Sequence, residues 1–70
     1  MIERPSDEEL SGMTVNERLY ACGLIDRWDT AAFGRDRAVM IIILLEAAFT
    51  EDQAVWTVDT LLANPARYGF

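Results

Sequence analysis

Eight consecutive apolar residues, Ala38-Val39-Met40-Ile41-Ile42-Ile43-Leu44-Leu45, lie in the middle of a chain of only 70 residues and constrain everything it can fold into. The run is far short of the roughly 20 residues that a membrane-spanning helix needs. Its β-branched centre is compatible with a buried strand, but no second strand is apparent for it to pair with. Helix is the reading adopted, with strand as its alternative. At helical spacing Ile41, Leu44, Leu45 and Ala48 share the face expected to meet the core. Val39 and Ile43 then point the opposite way, and Ile42 lies on the flank. A helix apolar on all sides in so short a chain is expected to be buried on two of them.

The flanking sequence carries helix punctuation. Thr14 with Glu17 three residues on forms a capping box, opening a helix expected to run to about Phe33 before Gly34 stops it. Ala21, Leu24, Ile25, Trp28 and Ala32 make its core stripe, and Val15, Leu19 and Cys22 a second stripe beside it. That arc is wider than one neighbouring helix covers. Thr50 and Gln53 form another capping box, and the helix they open is expected to end near Asn64 in a left-handed cap before Pro65. Its inner face is Ala54, Val55, Val58, Leu61 and Leu62. Trp56 falls on the other side, near Asp52, Asp59, Thr60 and Ala63. The closing Arg67-Tyr68-Gly69-Phe70 is too aromatic for a solvated end and is expected to fold back over Trp56, with Arg67 stacking on it or pairing with Asp59. Residues 1–12 lack apolar periodicity and read as a flexible acidic arm, with a possible helical turn opened by a Ser6 to Glu9 capping box. The expected fold is therefore all-α: one compact three-helix unit over residues 13–70, preceded by that arm.

Composition excludes more than it assigns. The chain has no histidine, and all six cationic residues are arginines, so histidine-based acid–base catalysis, Ser-His and Cys-His nucleophiles, histidine metal ligands and Schiff-base lysines are ruled out. The lone Cys22 can form neither an internal disulfide nor a cysteine-based zinc site, and reads as a small core hydrophobe in a reducing compartment. The acidic residues around the first turn, Asp26, Asp29 and Asp36, fail as a calcium loop. Trp28 and Thr30 stand at its third and fifth positions, and Arg37 stands where the closing glutamate belongs. A net charge of −6 disfavours direct contact with nucleic acid. A helix-turn-helix at Phe49-Thr50 would also present Glu51 and Asp52 to the bases. The N-terminal Met1-Ile2-Glu3-Arg4-Pro5 does not read as a signal peptide. No enzyme activity, cofactor, metal or membrane association is expected, and the expected location is the cytoplasm.

What remains is binding. Val39, Ile42 and Ile43 form the leading candidate contact surface, joined by Val15 and Leu19, because a soluble monomer rarely leaves such a cluster exposed. Self-association into a dimer is favoured, since an isologous contact needs only one such patch. Trp56 is a further candidate contact residue beside Tyr68 and Phe70, because large amphipathic rings are enriched at binding hot spots. Val15-Asn16-Glu17-Arg18-Leu19, the Asp36-Arg37 to Leu44-Leu45 segment and the closing run from Thr57 to Phe70, with its Asn-Pro-Ala-Arg-Tyr-Gly-Phe end, resemble a group of short bacterial proteins of no assigned activity. The resemblance covers nearly everything after Met13. It implies a bacterial cytoplasmic setting and marks residues 1–12 as an extra segment. The expected function is a protein–protein interaction module of adaptor, antitoxin or inhibitor type. The alternative is an acidic mimic of nucleic acid that blocks a basic groove on a target enzyme.

Overall fold

Thr14 starts a helix as its capping box dictates. Its hydroxyl accepts the Glu17 N–H at 3.3 Å, and the Glu17 carboxylate accepts the Thr14 N–H at 3.0 Å. In the computed structural model, which describes residues 12–70, this helix, α1, covers only Val15–Ala21. Gly23 then adopts φ 70°, open to glycine without steric cost. The Leu24 N–H reaches back to the Leu19 carbonyl at 2.8 Å and the Gly23 N–H to the Tyr20 carbonyl at 3.1 Å, closing a Schellman motif. A second helix, α2, follows over Ile25–Phe33. The single helix expected from Thr14 to Phe33 is thus two, and the break falls at the one glycine inside it.

Asp36 caps the next helix, α3, over Arg37–Glu46, its carboxylate accepting the Val39 N–H at 3.3 Å. The apolar run is therefore helical. The Thr50–Gln53 capping box, with bonds of 3.2 and 3.0 Å, opens α4 over Glu51–Ala63. A 3-10 turn over Pro65–Tyr68 completes the chain. Asn64, expected in a left-handed cap, has φ −149° instead, and the left-handed residue is Gly69 at φ 88°. The described residues contain these four α-helices and no strand. None of the helices is long and apolar enough to cross a membrane. The arm expected over residues 1–12 lies, except for Gly12, outside the described residues.

Consecutive elements pack against one another: α1 on α2, α2 on α3, α3 on α4, and α4 on the 3-10 turn. Between them lies a core built around Leu19, Trp28, Met40, Ile43, Leu44 and Val58. Two expectations are corrected here. Leu19 is fully buried, because the break at Gly23 lets α1 turn its second stripe inward instead of holding it beside the α2 stripe. On α3 the fully buried side is Met40, Ile43, Leu44 and Ala47; of the expected face Leu44 is in the core, Ile41 packs partly buried against it, and Leu45 is exposed. Apolar residues all round the helix leave its rotation open in the sequence pattern, and in the packed structure the charged ends are paired in the rotation adopted. Arg37 reaches Asp59 of α4 at 2.7 Å, and Glu46 reaches Arg27 of α2 at 3.0 Å. In that rotation Ile43 enters the core at 0 % exposure and leaves the expected contact surface.

Candidate functional site

Rotated in this way, α3 presents an apolar strip to solvent. Ala38, Ile42 and Leu45 lie one helical turn apart on its outer side, with Val39 beside them, and Ile42 is 53 % exposed. The strip is bounded by charges that are already matched. At one end the Arg37 guanidinium donates to both Asp59 oxygens, at 2.7 and 3.3 Å. These bonds hold the Asp59 carboxyl below its ordinary value and raise Arg37. At the other end Glu46 is paired with Arg27. The Asp36 carboxylate is occupied by the Val39 N–H, at the positive end of the helix dipole. In a chain of net charge −6, this surface lets another acidic surface approach without unpaired carboxylates meeting.

Of the contact residues expected from sequence, Val39 and Ile42 lie on this strip, while Ile43 and Leu19 lie in the core. Leu45 and Ala38 belong to the strip and were assigned elsewhere or passed over. Helical periodicity gave no signal that would have found them, because α3 is apolar on every side.

Trp56 and Val15 come together elsewhere. They line a groove of about 520 Å³ whose floor is the buried Trp28 and whose edge is Tyr68 and Arg67. Trp56 is 70 % exposed, so the tail does not cover it. Phe70 turns instead to Phe33 of α2, the rings meeting edge to face at 5.0 Å and 77°. The Arg35 guanidinium donates to the Phe70 carbonyl at 2.9 Å and to the Ala32 carbonyl at 2.6 Å, tying the tail to the end of α2. The tail does fold back, but onto a different helix. The expected Arg67–Asp59 pair is replaced by Arg37–Asp59.

Arg18, on the turn before Cys22, lies over the Phe49 ring with its guanidinium carbon 4.1 Å from the centroid, and donates to the Ala48 carbonyl at 3.4 Å. It serves packing between α1 and the α3–α4 turn. Cys22 is half-buried against the core. Among the described residues no three histidine, cysteine or carboxylate side chains gather where they could hold a metal ion. No family model, curated protein or solved structure matches the chain.

Proposed function

We propose that this protein is a non-catalytic protein–protein interaction module of adaptor, antitoxin or inhibitor type, acting in the bacterial cytoplasm and self-associating through the outer face of α3. The observation that carries the reading is the exposed Ala38-Ile42-Leu45 strip between charges matched within the chain. The mechanism is apolar burial in an isologous helix-on-helix contact, which places the same strip on both sides. A single half-buried free cysteine fits a reducing compartment.

The acidic-mimic alternative draws less support. Among the described residues, half of the eight carboxylate side chains are already engaged, Glu17 and Asp36 in capping and Glu46 and Asp59 by arginines, and are not available to imitate a row of phosphates.

Light scattering on a size-exclusion column, across loading concentrations up to hundreds of micromolar, tests the proposal. Wild type is expected to shift toward dimer mass as concentration rises. Ile42→Glu, which places a charge on the strip without touching the core, is expected to stay monomeric. A wild type that stays monomeric throughout would remove the self-association reading.

A further inference from the structure

Seven large apolar side chains stand exposed among the described residues, and they are not scattered. Val39, Ile42 and Leu45 share the α3 strip and Trp56 stands on α4. The remaining three, Tyr20, Phe33 and Tyr68, surround a single open groove of about 780 Å³ on the side of the molecule formed by α1, α2 and the tail. The helical repeat explains the convergence. Glu17 and Tyr20 are three residues apart on α1, and Asp29 and Phe33 four apart on α2, so each carboxylate shares a face with a ring. The tail adds Tyr68 and the Phe70 ring already packed on Phe33. Tyr20 is 80 % exposed and Phe33 63 %, an unusual loss of apolar burial for a small chain.

Among the described residues the charge around these rings has one sign: Glu17 and Asp29 line the groove and no described arginine does. Arg35, adjacent to it, is tied to the Ala32 and Phe70 carbonyls. Glu17 is kept anionic by the Thr14 N–H, which lowers its pKa. Asp29 has no ion-pair or hydrogen-bond partner among the described residues. Ring faces carry negative quadrupole potential, so aromatic walls and anionic carboxylates attract the same guest, a cation on an apolar stem. Arginine suits it better than lysine, because its planar guanidinium stacks on rings while its edge bonds to a carboxylate. The surroundings of Trp56 match less well: Arg67 lines the groove on one side of it, and on the other, beside Glu51, Asp52 and the Arg37-bound Asp59, Trp56 is the one ring among the described lining residues.

We infer that the groove between Tyr20, Phe33 and Tyr68 is a docking site for an arginine-bearing apolar segment of a partner protein, the guanidinium lodging among the rings against Asp29 and Glu17. This goes beyond self-association through α3 and shares no residue with that strip, so either stands if the other fails.

The test is an NMR titration of the full-length, isotope-labelled chain with a short peptide alternating leucine and arginine, set against the same peptide with each arginine replaced by neutral citrulline. The arginine peptide is expected to bind saturably, shifting the amides of Tyr20, Asp29, Phe33 and Tyr68, and the citrulline peptide to bind about tenfold more weakly. Asp29→Asn and Tyr20→Ala, both at positions outside the core, should each weaken binding severalfold. Asp52→Asn, which removes an equal charge elsewhere, should leave it unchanged, as should Ile42→Glu. Equal binding of the two peptides, equal effects of Asp29→Asn and Asp52→Asn, shifts centred on Trp56, or no saturable binding would each overturn the inference.

Discussion

Ala48 carries a methyl group at φ 68°, where an L-residue pays about 1–2 kcal/mol and glycine pays nothing. The same hydrogen-bond pair that ends α1 recurs there, with the Phe49 N–H on the Leu44 carbonyl at 3.1 Å. It recurs after α2, with Arg35 at φ 55°, and after the 3-10 turn, with Gly69. Two of the four left-handed positions are therefore occupied by residues that strain there. Ala48→Gly should raise stability by about 0.5–1 kcal/mol, the relief of strain being partly offset by the greater freedom of glycine in the unfolded chain. At Gly23 a Cβ would meet nothing within 4 Å, so Gly23→Ala should cost about 1 kcal/mol through backbone strain alone. Urea unfolding of the two variants beside wild type checks both signs. Gly23 was the residue that marked the end of α1. Its signal was local but was outweighed by apolar periodicity that continues in phase across it.

Two of the four described helix starts were legible because a capping box is complete within four residues: Thr14 and Thr50 make the bonds their spacing predicts, whereas the helix at Ile25 has no side-chain cap to announce it. The rotation of α3 was not, because a helix apolar on every side takes its rotation from the neighbours it packs against. Arg37 and Glu46 are paired to different helices in the rotation that puts Ile43 inward and Leu45 outward. One of those locks has an acid signature. Asp59 has a folded-state pKa depressed by its hydrogen bonds from Arg37, so the stability it adds is fully present above its unfolded value near ~3.9. It is lost as pH falls through the lower folded value. Glu17, lowered by the Thr14 N–H, behaves in the same sense. Arg37 is raised from a value already beyond the working range and contributes no pH dependence near neutrality. Thermal melts followed by circular dichroism from pH 7 down to pH 2 should show wild type losing stability below about pH 4. Asp59→Asn should lose less over the same interval. Both side chains of the pair are about half-exposed, so added salt should shrink the difference.

Size links the core to the strip on α3. A domain this small usually holds only about 3–5 kcal/mol of net stability, so burying further apolar surface against a second copy has a large proportional effect. Val39, Ile42 and Leu45 are each roughly half-exposed, and fully burying such side chains contributes about 1.5–3 kcal/mol apiece. Counted on both copies, the strip therefore supplies on the order of 5–9 kcal/mol, which falls within the association cost of about 4–15 kcal/mol. A dimer formed through the strip would thus be weak, and its population and the apparent stability of the fold would rise together with concentration. That this helix leaves apolar residues exposed followed from its sequence, since no helix apolar on every side can be satisfied by one small core. Which residues form it required the packed structure, because Ile42 and Ile43 are indistinguishable until the neighbours are in place. The two positions then part in their consequences. Ile42→Ala should leave melting at low micromolar concentration nearly unchanged and flatten the rise in melting temperature that wild type shows as concentration increases. Ile43→Ala, which empties a fully buried site, should cost about 2–5 kcal/mol at every concentration. Calorimetric scans at low and high concentration separate the two behaviours. A wild type whose melting temperature does not move with concentration would place the strip outside any self-contact.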